Sequence, residues 1–152
     1  MSAINQLTKD YFELTNPQRN YGYISTMKQL SIKHITNLHS DSLRGLDFYS
    51  QELGILQERL EEILADNTNK EVAEQVEHFQ NEFIIHKNAL DELKSSIHEN
   101  NNNIKDQISE FDGSVEKITI SDNHNLHEDY LTEERLFNEL RHEFYRFASK
   151  WM

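Results

Sequence analysis

Residues 72–111 read VAEQVEHFQNEFIIHKNALDELKSSIHENNNNIKDQISEF, and a seam runs through them at Val72, Val76, Phe79, Phe83, His86, Leu90, Leu93, Ile97, Asn100, Ile104, Gln107 and Phe111. Every step along it is three or four residues, which keeps the stripe on one face of an α-helix and rules out the two-residue period of a strand. The spacing therefore predicts one helix over 69–111, about 60 Å long at 1.5 Å per residue. The run Asn100–Asn103 has poor helix propensity and marks a local weak point within it. Upstream, Thr68-Asn69-Lys70-Glu71 has the form of a capping box, with Thr68 and Glu71 each satisfying an otherwise unpaired backbone N–H.

Working outward, Ile32, Ile35, Leu46, Tyr49, Leu53, Leu56, Leu60 and Ile63 predict a preceding helix over about 32–65, with Ser31 as its N-cap. Its first half places His39 and Ser42 in the seam, so that end is the more polar. On the other side, Tyr130, Phe137, Leu140, Phe144, Phe147 and Trp151 predict a third helix over about 123–150, capped by Asp122 or Asn125. Between them, Asp112-Gly113 stops the periodicity and Val115–Ile120 alternates as an extended connector would. Residues 1–30 read as an N-terminal arm carrying a short helix over 3–15 (Ile4, Leu7, Tyr11, Leu14), interrupted by the turn formers of TNPQRNYGY. The expected fold is all-α: an antiparallel, coiled-coil-like bundle of three long amphipathic helices over 31–152, preceded by that arm.

Composition fits one domain. The chain has 152 residues, 36% hydrophobic and 28% charged, with only 4 Gly and one Pro, so it is globular in character and poor in helix breakers. No Cys is present, which removes disulfides, thiolate nucleophiles and Cys-based zinc or iron–sulfur sites. The opening residues have neither a basic stretch nor an apolar run, and no segment is apolar enough to span a bilayer, so a cytoplasmic location with no membrane partner is expected. The net charge is −12, and residues 71–99 hold seven acids against Lys87 and Lys94. With no clustered basic face to meet a phosphate backbone, nucleic acid is not an expected partner.

Signatures for catalysis are missing: there is no Gly-rich phosphate loop, no nucleophile elbow and no His-Glu-x-x-His helix. The one Glu-x-x-His pair, Glu139 with His142, falls on the outward positions of the third helix and reads as a solvated face. Two histidines stand out because they occupy seam positions, His39 and His86. With a turn near residue 67, His86 is expected beside Tyr49 and near Glu52, a buried polar group that sets helix register. The alternative is a small-ligand or transition-metal site built from His39, Tyr49, Glu52 and His86, since bundle cores hold such sites.

Apolar residues off the seams supply the leading functional reading. Phe48, Ile55, Ile84 and Ile85 have no partner in a simple hairpin, and contiguous apolar surface usually marks an interface. Phe147 and Trp151, in the C-terminal aromatic cluster, are further candidates for anchoring a partner. The expectation is a non-enzymatic interaction or structural module without a cofactor, whose partner is a protein and most simply a second copy in a dimer.

Overall fold

A computed structural model describes residues 17–110 and 117–152, with side chains described for 32–108 and 125–152. Three helices account for nearly all of them: α1 (Pro17–Asp66), α2 (Lys70–Glu110) and α3 (Lys117–Trp151). Each packs on both others. The result is the expected all-α three-helix bundle, and no strand occurs among the described residues. Nor is any helix long and apolar enough to cross a membrane.

The seams fill the core as their spacing requires. From α1 come Leu46, Tyr49, Leu53, Leu56, Leu60 and Ile63, from α2 Val72, Val76, Phe79, Phe83, Leu90 and Ile97, and from α3 Phe137, Leu140, Phe144 and Phe147, all buried. Phe79 is the hub of the aromatic end: its ring lies 5.3 Å from Phe144, nearly perpendicular, and 5.0 Å from Phe147. Edge-on rings of this kind place positive ring edges against negative faces, adding to what burial alone contributes. A smaller cluster of Ile35 and Ile104, backed by Ile32, holds the far end of α1 against α2.

α1 and α2 are antiparallel, as the pairs His39–Asn100 and Asp47–Lys94 record. α3 returns antiparallel to α2 and parallel to α1, carrying Asn138 to Tyr49 and Arg141 to Glu52. Packing α3 this close to α1 requires a glycine. A Cβ on Gly45 would lie 2.0 Å from the Tyr130 hydroxyl, so only a bare backbone lets that ring settle there.

Three boundaries differ from the sequence-based expectation. α1 starts at Pro17, so Pro17, Asn20 and Gly22 of TNPQRNYGY lie inside a helix and Ser31 is an interior residue rather than its N-cap. The physical reason is that proline suits the first helical turn, where its missing N–H would have no intrahelical partner. The short helix expected over 3–15 lies outside the described residues. α3 starts at Lys117, which places Asp122 and Asn125 inside the helix and replaces the later part of the extended connector. From Lys117 on these residues have no strand to pair with among the described residues, whereas a helix satisfies their backbone groups internally. Between α1 and α2, the N-cap is Asn69 rather than Thr68: the Glu71 N–H donates to Asn69 Oδ1 at 2.9 Å, and the Ala73 N–H to the Asn69 carbonyl at 3.1 Å.

Candidate functional site

The polar residues in the seams are buried, as their positions imply, but their partners differ from those expected. His86 is 7% exposed and its Nδ1 meets a Glu133 carboxylate oxygen that is buried equally deeply. The Phe137 ring stands edge-on to the imidazole at 5.9 Å. Tyr49 and Glu52 belong elsewhere. The Asn138 amide donates to the Tyr49 hydroxyl at 3.2 Å, and Arg141 Nη1 donates to Glu52 Oε2 at 3.3 Å. Burial raises the Tyr49 phenol above its ordinary range, opposed by that donated hydrogen bond.

Register explains the exchange. The pairs His39–Asn100 and Asp47–Lys94 set the α1 residue facing His86 near Leu53, one helical turn beyond Tyr49. His86 therefore looks to α3. Glu133 was missed, although a signal for it was present: it continues the α3 seam three residues after Tyr130 and four before Phe137. A carboxylate in an apolar seam demands a donor from a neighbouring seam, and His86 is the one opposite.

His39 forms the second polar layer. Its Nε2–H donates to Asn100 Oδ1 at 2.9 Å, and both groups are buried beside Ser42. Burial lowers the His39 pKa, the Asn100 carbonyl opposes the shift, and the nearby His127 adds to it. This bond also anchors the first residue of the four-asparagine run, which stays helical because tertiary contact outweighs weak propensity. On the α3 side, the Tyr130 hydroxyl donates to Glu134 at 2.8 Å, and burial pushes its pKa well above the usual phenol range.

The four residues considered for a ligand site thus do not converge. Each is consumed by a different partner, and no group of three or more His, Asp or Glu side chains among the described residues could hold a metal ion. His142 is exposed, and its neighbour Glu139 accepts from Arg135 at 3.0 Å, so that pair is the solvated face its spacing implied.

The off-seam residues divide clearly. Phe48, Ile55, Ile84 and Ile85 are 49%, 42%, 55% and 57% exposed, so none of the described elements covers them. Phe147, by contrast, is buried in the aromatic core and presents nothing to a partner. It sits on the α3 face turned toward Phe79, where an apolar ring is worth more inside than out. Trp151 packs partly buried against the same core beneath Lys150, whose Nζ lies 5.2 Å from its ring centre.

Two open furrows lie between α1 and α2. One of about 410 Å³ is bordered by Gln57, Glu61, Gln80, Asn81 and Ile84 over a floor of Leu60 and Phe83. The other, about 110 Å³, runs on past Gly54 to Ser50, Lys87 and Asp91. Shallow grooves also follow α2 and α3, one of about 360 Å³ beside Asn100 and Asn103. No family model, no curated protein and no solved structure matches this chain.

Proposed function

We propose that this chain is a non-enzymatic protein-interaction module, whose seams hold the bundle together and whose outer helix faces bind another protein. The observation that carries the reading is the exposure of Ile84 and Ile85 at 55% and 57%, adjacent on a helix whose own seam is already filled. Phe48 and Ile55, seven residues apart and so on one stripe of α1, add a second apolar strip. Single exposed apolar residues are ordinary on any surface, but four large ones on two helices are surplus to the fold's own needs. Helix faces of this kind bind partners through anchors at helical spacing rather than through an enclosed pocket.

The test compares the native chain with Ile84→Asp, Ile85→Asp and Phe48→Glu by cross-linking and co-purification from its own cells. Because these side chains are exposed, each variant is expected to keep its thermal midpoint and helix content, with stability changed by no more than about 0.5 kcal/mol. Loss of cross-linked species in at least one variant is the expected result. Variants that retain every association of the parent at equal strength overturn the reading.

A further inference from the structure

Resting on that reading, we infer that the furrow between α1 and α2 around Gly54 and Ile84 seats a cationic amphipathic helix of a partner protein. The two furrows share Gln57 and together follow α1 from Ser50 to Glu61 and α2 from Gln80 to Asp91, with no α3 residue lining either. At 1.5 Å per residue this is about 17 Å, enough for three turns of a docked helix.

Gly54 sets the depth. It sits well inside a 50-residue helix, yet a Cβ built on it meets nothing within 4 Å. Gly45, the other glycine of this region, is required by the Tyr130 hydroxyl of its own chain. Nothing among the described residues requires Gly54. A bare backbone at a helix surface lets a second helix approach at the close end of the usual interaxial range, about 8 Å. Leu53 and Leu90 floor the furrow beside Gly54, and half-exposed Ile84 stands at its edge to meet apolar anchors.

Charge selects the occupant. Glu61 lines the wide end, Glu77 is exposed one heptad before Ile84, and Glu58 is exposed one turn past Gly54. Of the cations nearest in sequence, Arg59 lies over the Tyr145 ring at 5.9 Å, and Lys94, which donates to Ser50 at the narrow end at 3.0 Å, is balanced there by Asp47 at 2.9 Å. Lys87 is the one base lining the furrow, against Glu61 and Asp91. A second copy of a chain of net charge −12 would bring acid against acid here. A helix with Lys or Arg flanking its apolar stripe instead gains attraction and steering from the same groups.

Fluorescence anisotropy of the full chain tests this with a labelled 21-residue Leu/Lys amphipathic helical peptide and its Leu/Glu counterpart. The Lys peptide is expected to bind at least about tenfold more tightly than the Glu peptide, a difference that electrostatic complementarity readily supplies. Gly54→Leu raises helix propensity, so the chain stays folded by circular dichroism, and it weakens Lys-peptide binding at least about tenfold by filling the furrow. Leu136→Ser, exposed on α3 and away from the furrow, leaves the affinity unchanged. Equal affinity for the two peptides, or Gly54→Leu binding like the parent, overturns the proposal. A dimer seen by light scattering and dissolved by Gly54→Leu also overturns it, naming a second copy as the occupant while leaving the interaction-module reading intact.

Discussion

His86 and Glu133 join α2 to α3 through a hydrogen-bonded side-chain contact in the core, and the consequence of losing either partner follows from burial. Removing one leaves the other desolvated and unpaired, which costs on the order of 1–3 kcal/mol for a buried polar group. His86→Leu is therefore expected to lower stability by about that amount, whereas His86→Leu with Glu133→Leu together recovers most of it, because two apolar groups of similar volume leave nothing unsatisfied. Urea unfolding of the two single variants and the double variant measures the coupling, and additive effects would contradict it. His39 behaves differently, since its partner is neutral. Its pKa is lowered in the folded chain, so the fold binds this proton less readily than the unfolded chain does. Its contribution is fully present above the ordinary histidine value of about 6.5 and is lost as pH falls from there through the depressed folded value. Stability measured at pH 7.5 and 5 should fall toward acid, and His39→Gln, which keeps a donor for Asn100, should flatten part of that fall. An NMR titration midpoint for His39 at or above that of a free imidazole would refute the assignment.

Among the helices, the start of α2 shows how a cap is chosen. Both Thr68 and Asn69 are competent N-caps, and the sequence pattern favours Thr68 because Glu71 stands three residues on. The chain uses Asn69, with Asn67 closing α1: the Asn67 amide donates to the Ile63 carbonyl at 2.8 Å and reaches the Trp151 carbonyl at 3.5 Å. One short link thus ties off all three helices at one end. Asn69→Ala is expected to cost about 1 kcal/mol and Thr68→Ala only a few tenths, as read from thermal or urea unfolding. The opposite ranking would restore Thr68 as the cap. The start of α1 at Pro17 carries a related lesson, because a proline between turn formers reads as a break from one side and as a helix start from the other.

Taken whole, the molecule is a −12 bundle whose charges are mostly exposed, so mutual repulsion opposes the compact state. Raising salt from about 10 to 150 mM shortens the Debye length from roughly 30 to 8 Å, and the thermal midpoint is expected to rise with it. A midpoint that falls would mean that pairs such as Lys94–Asp47 and Arg141–Glu52 outweigh the repulsion. Helix identity and seam membership could be read from the chain alone, down to the buried His39, Ser42, His86 and Asn100, because a three-or-four spacing over many turns admits one face and one structure. The exposure of Ile84 and Ile85 was beyond such a reading: an apolar residue off one seam stays inside or out according to which neighbour the third helix chooses. The same holds for partners. Local spacing places His86 in a core, but whether Tyr49 or Glu133 meets it depends on a register between helices about one turn in either direction. Many packing contacts along three helices set that register together, and no short stretch of sequence encodes it.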